Sequence, residues 1–218
     1  MVRISRMHYP VTALGPGRRL AVWVQGCTLG CPGCASRDTW DPAGGDLAQT
    51  SDALRIWSAV LEDGADGLTV SGGEPLQQAE GLADLLDALA GCTAESGRTA
   101  DVLLYTGYDA EEIPALGPAA ARVVEHADAL VTGRFRADQP TSLIWRGSAN
   151  QRLIPRTGLG RARYGEYVER TESATRLQVN VDEQDVQLIG IPRRRDLARI
   201  ERSLRSSGVM FGDVSWRP

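Results

Sequence analysis

Between residues 19 and 132 the chain keeps switching between two hydrophobic periods, and that alternation restricts its fold more than any other feature. The runs "RRLAVWVQG", "GLTVSGGEP", "DVLLYTGY" and "ADALVTGRF" are short and apolar and stop at glycine-containing turns, as buried strands do. Between them lie stretches with helical spacing. "TSDALRIWSAVLEDG" puts Leu54, Trp57 and Leu61 on one face, with Thr50 or Ser51 available to cap its start and Gly64 past its end. "LADLLDALAG" places Leu82, Leu85, Leu86 and Leu89 at helical intervals, and residues 111–126 read as a helix interrupted near Pro114 and Pro118. Strand, loop and helix in this order predict a parallel sheet with right-handed crossovers. About four such units fit before residue 136, whereas a closed eight-unit barrel takes roughly 250 residues. The expected fold is therefore α/β, a partial and open (β/α) barrel, with function at the C-terminal ends of its strands.

Beyond residue 136 the pattern changes. Residues 137–172 are rich in Arg, Gly and polar side chains and predict loop with short strands such as "NQRLI". "TRLQVNVDEQDVQLIGIP" alternates at Leu177, Val179 and Val181, turns at Asp182–Gln184 and resumes at Val186, which predicts a β-hairpin. "RRRDLARIERSLRSSG" then predicts a helix with Leu197, Ile200 and Leu204 inward and Gly208 at the stop. The division this suggests is a core over 1–172 and a hairpin–helix extension over 173–218.

A formal net charge of −4 and a pI near 5.3 argue against general affinity for nucleic acid or anionic membrane. No apolar run approaches the roughly 20 residues of a membrane helix, and "MVRISRMHYP" lacks a signal-peptide core. The cytoplasm is the expected compartment. There a tight group of thiols points to metal or redox chemistry, since four cysteines are too few for a disulfide scaffold of this length.

That group is "WVQGCTLGCPGC", with Cys27, Cys31 and Cys34 at C-x3-C-x2-C spacing. Three thiolates on one loop can wrap a thiophilic centre, either zinc or an iron–sulfur cluster. Structural zinc is closed by four ligands, usually in two pairs, and no second pair exists here; His8 and His126 lack zinc-finger spacing. A four-iron cluster is usually held by four cysteines, so three would leave one iron open, and an open metal position marks a place for substrate or cofactor. The plain alternative, small buried hydrophobes, sits badly with the surrounding Gly26, Gly30, Pro32 and Gly33. Cys92 ends an amphipathic helix and reads as a free buried thiol; as a fourth ligand it would close the site.

"SGGEP", Ser71–Pro75, follows a strand. Paired glycines let a ligand approach bare backbone, so exposed N–H groups and the Glu74 carboxylate could grip a zwitterionic amino acid. Gly-Gly before a helix is equally an ordinary turn.

Together the two loops, C-x3-C-x2-C and then a strand ending in GGE, resemble the radical S-adenosylmethionine (SAM) enzymes. The resemblance implies a 4Fe-4S cluster on Cys27, Cys31 and Cys34, with SAM chelating the open iron. It places Ser71, Gly72, Gly73 and Glu74 on SAM, and Gly33 and Ala35 near it. One electron from the cluster would split SAM into methionine and a 5′-deoxyadenosyl radical that abstracts hydrogen from substrate. A narrower similarity runs over roughly residues 15–154, through "GPGRRLAVWVQGCTLGCPGC", "TVSGGEPLQQ", "LLYTGY", "ADALVTGRF" and "RGSANQRLI". These blocks resemble the activating enzymes of anaerobic ribonucleotide reductases, which take one hydrogen from a glycine of a partner protein. That implies a glycyl-radical reductase as protein substrate and a flavodoxin- or ferredoxin-like electron donor. Thr132 stands where the family usually carries an acidic residue, and the segment from 173 onward has no counterpart in the shorter activases. These departures keep open a radical SAM enzyme acting on a small molecule or peptide; a non-catalytic metal-binding module is a further alternative.

Other residues complete the expectations. Tyr105 and Thr106 could contact the adenosine or methionine part of SAM, while Tyr108 reads as rim packing. Asn150 and Gln151 could bond SAM, a substrate backbone or simply a sheet edge. Arg193, Arg194 and Arg195 at a helix start oppose the helix dipole and are either a solvated start or a dock for an acidic partner. Trp23, Trp57 and Trp145 read as core.

Overall fold

The structure, a computed structural model, describes residues 1–181, 186–193 and 195–209. Its strands and helices in chain order are β1 (Val2–Val11), β2 (Arg19–Val24), β3 (Asp46–Ala48), α1 (Thr50–Glu62), β4 (Gly67–Gly72), α2 (Ala79–Glu95), β5 (Asp101–Tyr105), α3 (Pro118–His126), β6 (Ala129–Thr132), β7 (Arg152–Pro155), α4 (Gly158–Tyr164), β8 (Leu177–Val181), β9 (Val186–Gly190) and α5 (Asp196–Ser206). Seven strands form one open sheet in the order β3-β1-β2-β4-β5-β6-β7. Its centre, β2-β4-β5-β6, is parallel, as the alternation predicts. The flanks are antiparallel: β1 on β2, β3 on β1, and β7 on β6.

Each central strand alternates between two buried faces, which is why it reads as an unbroken apolar run. Leu20, Val22 and Val24 of β2, Leu68 and Val70 of β4, Leu104 of β5 and Leu130 of β6 pack under α1, α2 and α3 against Trp57, Leu61, Leu82 and Leu86. Fully burying each such side chain is worth about 1.5–3 kcal/mol. The opposite face carries Ala21 and Trp23, with Leu103, Ala129 and Val131 further along the sheet. It is covered by Leu14 and Ile189 at one side and by Trp145 and Tyr164 at the other.

At the strand starts this second face holds a polar plug. Arg19 and Asp101 are fully buried and meet at 2.8 Å. Arg19 also donates through Nε to the Thr69 hydroxyl at 2.7 Å, and Asp101 accepts from Arg163 at 2.6 Å and from the Tyr164 hydroxyl. Apolar periodicity does not report a buried ion pair, and no sequence signal singled these residues out.

Several local expectations are corrected. α1 begins at Thr50 itself; Gln49 precedes it and no side chain caps it. Its far end does stop as expected, with Gly64 at φ +84° and the Ala65 N–H donating to the Val60 carbonyl. The proline-interrupted stretch is a short 3-10 turn, Ile113–Leu116, followed by α3. β1 was not expected, because Arg3, Arg6, His8 and Pro10 break up its apolar pattern; only Val2, Ile4 and Val11 are buried.

The extension pairs β8 with β9 antiparallel; the expected turn at Asp182–Gln184 lies outside the described residues, as does Trp216. Its polar face turns toward the core, where Gln178 accepts from the Thr12 N–H at 3.1 Å and donates to the Pro10 carbonyl at 2.8 Å. Ile189 is buried from that face, while Val179 is 54% exposed. In α5 Leu197, Ile200 and Leu204 are half-buried rather than inward, and Glu201 is the buried residue. Because α5 starts at Asp196, Arg193 and Arg195 precede the helix and Asp196 supplies the favourable charge at its first turn. Arg193 is engaged internally, its guanidinium donating to the carbonyls of Ser173, at 3.0 Å, and Glu172. Arg194 lies outside the described residues. Among the described residues no helix is long and apolar enough to cross a membrane.

Candidate active site

The cysteine loop leaves the C-terminal end of β2 and is tied down along its length. The Gly26 N–H donates to Thr39 at 2.7 Å, the Cys27 N–H to Trp40 at 3.1 Å and the Cys34 N–H to Cys31 at 3.1 Å. Gln25, 4% exposed, donates to the carbonyls of Asp38 and Asp41 and so closes the base of the loop. Gly33 has φ +80°, a conformation that favours glycine, and an added Cβ would lie 3.4 Å from the Phe135 ring.

Cys27, Cys31 and Cys34 line one cavity of about 620 Å³, solvent mouth included. Ser71, Gly72, Gly73, Glu74, Tyr105 and Thr106 line the same cavity. Gly33 and Ala35 flank Cys34 outside its lining. Among the described residues no three His, Cys, Asp or Glu side chains converge tightly enough to seize a single metal ion. The donor set is thiolate only, as iron–sulfur clusters require. Burial lifts the Cys27 and Cys31 thiols above their ordinary pKa; at Cys31 the Phe135 N–H and the Arg134 charge pull the other way. Loading iron must therefore expel protons.

The glycine loop is built against the cysteine loop. The Gly73 N–H donates to Val24 at 2.8 Å and the Glu74 N–H to Gly26 at 2.9 Å. A Cβ on Gly73 would fall 2.3 Å from the Gly26 oxygen, and one on Gly72 would fall 2.5 Å from the Val24 nitrogen. The glycines thus serve the contact between two backbones, and the Gly73 and Glu74 N–H groups are engaged within the protein. The carboxylate is spent too. Glu74, 1% exposed, accepts from the Leu76 N–H at 3.0 Å and the Thr106 hydroxyl at 2.8 Å through Oε1, and from the Gly107 N–H at 2.7 Å through Oε2. Burial pushes its pKa up, opposed by these three donors and the Arg134 charge. Glu74 is a strut between the loops after β4 and β5. Glu74→Gln sets an amide N–H against one of the three donors, so we expect a loss of about 1–3 kcal/mol, seen as a lower thermal midpoint with the fold retained.

Gln77 and Gln78, which the sequence reading passed over, brace the same assembly. The Thr28 N–H donates to Gln77 Oε1 at 3.0 Å, and Gln77 Nε2 returns to the Thr28 hydroxyl at 2.7 Å. Gln78 donates to Gln25 at 2.7 Å and accepts from the Arg3 N–H at 2.7 Å. Two adjacent polar residues after a proline carry no local signal of such reach.

The Tyr105 hydroxyl is buried with no hydrogen-bond partner among the described residues, and burial pushes its pKa well up. Tyr105 lines this cavity, and a buried donor without a protein partner fits a bound polar cofactor. Gln151 also lines the cavity, but its amide is occupied: Oε1 accepts from Gly147 at 2.8 Å and Ser148 at 3.2 Å, and Nε2 donates to Gly133 at 2.9 Å. Asn150 donates to the Arg134 carbonyl at 2.9 Å. Tyr108 lies under the Arg134 guanidinium at 5.6 Å, at the rim. Thr132 is buried at the end of β6, outside the cavity lining. Trp23, Trp57 and Trp145 are core, as expected. Cys92 is in the last turn of α2, packed against the helical side of the sheet and absent from the cavity. Cys92→Ser should leave iron content after anaerobic reconstitution unchanged, as measured per chain; a drop of a quarter or more would make it a ligand.

Comparison with known proteins agrees with this geometry. Residues 13–154, well over half of the chain, match the family model described as a 4Fe-4S single cluster domain. The anaerobic ribonucleoside-triphosphate reductase-activating protein of Enterobacteria phage T4 is 33% identical over 145 residues, covering 66% of this chain and 87% of that protein. The protein of the same name from Escherichia coli K12 is 35% identical over 152 residues, covering 66% and 93%. The Salmonella typhimurium one is 36% identical over 149 residues, covering 66% and 93%. Among solved structures, QueE from Escherichia coli superposes with a TM-score of 0.41 at 17% identity over 63% of this chain and 73% of that one, too distant to bear on the assignment. With its three thiols and its glycine loop joined in one cavity, this chain belongs to the family of anaerobic ribonucleoside-triphosphate reductase-activating proteins.

Proposed function

We propose that this chain is a radical SAM activase that abstracts hydrogen from a glycine of an anaerobic ribonucleoside-triphosphate reductase. The observation that carries the reading is the meeting of Cys27, Cys31, Cys34 and the Ser71–Glu74 loop in one cavity, in a chain whose relatives bear that activase name. Reading the open sheet as a partial (β/α) barrel places this cavity at the C-terminal rim of its parallel strands, where such folds act. Cys27, Cys31 and Cys34 would hold a 4Fe-4S cluster and leave one iron for the amino and carboxylate groups of SAM. When bound, this pair supplies one-electron cleavage of SAM to methionine and a 5′-deoxyadenosyl radical.

The protein's share is placement and shielding. With the Gly73 and Glu74 N–H groups engaged, the backbone carbonyls of the Ser71–Gly73 stretch on the cavity wall are the groups that suit the SAM ammonium. The Tyr105 hydroxyl gains the partner it lacks by bonding the adenosine or methionine part. Thr106 acts through Glu74, holding the strut. Leu29, Trp40 and Phe135 on the cavity wall keep water from the radical. The small-molecule and module alternatives lose their support, because the family match spans residues 13–154 and the relatives bear the activase name. A flavodoxin- or ferredoxin-like protein supplies the electron, and a reducing cytoplasm keeps the thiols free.

The test is anaerobic reconstitution, reduction with dithionite and addition of SAM. Formation of 5′-deoxyadenosine, and a glycyl-radical EPR signal when the cognate reductase is added, is the expected result. Cleavage of SAM with no signal on the reductase would overturn the substrate assignment; no cleavage would overturn the chemistry.

A further inference from the structure

A second cleft, sharing no residue with the cysteine cavity, opens where residues 142–146 meet the segment that follows Glu172. It is a small cleft, half open to solvent, and three features of its lining are anomalous for a merely structural wall.

The first is Arg146, 6% exposed. Its Nε donates to the Ile144 carbonyl at 3.3 Å, and Nη2 to the carbonyls of Tyr167 at 3.1 Å and Val168 at 2.7 Å. Among the described residues Nη1 makes no hydrogen bond and the guanidinium has no contact ion pair; the Glu169 carboxylate acts on it from beyond ion-pair distance. Burial depresses its pKa, as it does for a cation removed from water without a full counter-charge. The second is Trp145, also 6% exposed, whose indole N–H is buried with no acceptor among the described residues. Buried donors of this kind ordinarily have a partner, supplied by a ligand where the protein has none. Trp145 also has φ +58°, a left-handed backbone that costs a bulky residue of order 1–3 kcal/mol and tends to occur at functional sites. The third is charge. Arg176 and Arg193 join Arg146 in the lining, against the single carboxylate of Glu172. Glu172 is taken by Arg176, at 3.1 and 2.7 Å. Asp196 lies one bond further back, accepting from the Thr175 hydroxyl at 2.6 Å.

We propose that this cleft is an anion site that takes a phosphate-bearing small molecule on Arg146, Arg193 and the indole N–H of Trp145. A phosphate presents several terminal oxygens to donors arriving from different directions, and guanidinium forks match them. Ile144 and Ile191 beside the cations give an esterified ligand an apolar seat. The residues 142–146 side of the cleft belongs to the family-matched core, while Arg176 and Arg193 lie beyond residue 154, where that match ends. The site therefore needs both parts of the chain, and it stands independently of the proposed activity.

The test is calorimetric titration of the full-length, cluster-reconstituted protein with inorganic phosphate and with uridine 5′-monophosphate. Saturable binding of one per chain is expected. Equal affinity for the two identifies free phosphate as the ligand chemistry, and a preference of about tenfold or more for the nucleotide, roughly one charge-assisted bond or its apolar equivalent, identifies an ester. Trp145→Phe keeps the ring that packs on Tyr164 and Tyr167 at 5.9 and 4.6 Å and removes only the donor, so affinity should fall about tenfold. Arg193→Gln, at a half-buried position, should weaken binding at least as much and keeps the test valid if loss of the indole disturbs packing. Cys27→Ala should bind as the parent does, which separates this cleft from the cluster site. No saturable binding of either probe down to a Kd of about 1 mM, or affinity unchanged in both Trp145→Phe and Arg193→Gln, overturns the proposal.

Discussion

Cys31→Ala should abolish SAM cleavage, with 5′-deoxyadenosine formation falling by more than about a hundredfold. The basis is the ligand count. Outer-shell partners of a metal site typically cost 10–100-fold when lost, and here a direct ligand is removed from a set of three. Only Cys27, Cys31 and Cys34 reach the cavity, and Cys92 is packed against the helical side of the sheet, so no thiol can substitute. Iron content and the brown absorbance should fall together with activity, while far-ultraviolet circular dichroism stays unchanged, because the loop is pinned by backbone bonds to Thr39 and Trp40. Cys27→Ala and Cys34→Ala should behave alike. Retention of a full four-iron complement in any of the three would remove that cysteine from the ligand set.

The second large effect is on stability. Asp101→Ala should cost about 3–5 kcal/mol, the usual result of removing one partner from a buried pair and leaving the other charge uncompensated. Arg19 is fully buried and has Asp101 as its one ion-pair partner among the described residues, so truncation strands a guanidinium beneath the sheet. A chain of this size should lose roughly 6–20 °C in thermal midpoint, with the slope of the denaturant transition retained. The same group sets an acid limit. Burial alone would raise the Asp101 pKa, but Arg19, Tyr164 and Arg163 together hold it below the ordinary carboxylate value. A depressed folded-state pKa means that its contribution is complete above the unfolded value of about 3.9 and is lost as pH falls through the lower folded value. The difference between Asp101→Asn and the parent should therefore shrink on acidification; a difference independent of pH below that value would show that the pair is not ionised.

How far these sites were legible depended on how local their signal is. Strand and helix alternation over β2 to β6 is a short-range property, since burial on both faces of a parallel strand leaves an unbroken apolar run. The cysteine spacing is equally local, because one loop must bring three sulfurs around one centre. β1 was missed because a flanking strand can hide charged residues along its edge, and Arg3 and Arg6 masked its pattern. The exposed side of β8 was misleading for a related reason. Val179 alternates like a core residue, but the hairpin reaches the core through Gln178 and Ile189.

The role of Glu74 shows where local reading ends. The motif places a carboxylate after two glycines, and in isolation that invites a ligand. Its three donors come from Leu76, Thr106 and Gly107, and two of those lie on a loop more than thirty positions later, so only the folded chain can show that the carboxylate is already occupied.

The parallel α/β architecture, the three thiols and the glycine turn were thus written into residue order, because periodicity and spacing act within a few positions of the chain. Tertiary structure alone decided that Glu74 is a strut, that Cys92 lies away from the cavity, that Arg19 and Asp101 pair in the interior and that Arg146 has no contact ion pair among the described residues. Hydrogen bonding and desolvation depend on which distant groups meet, and no local pattern encodes that meeting.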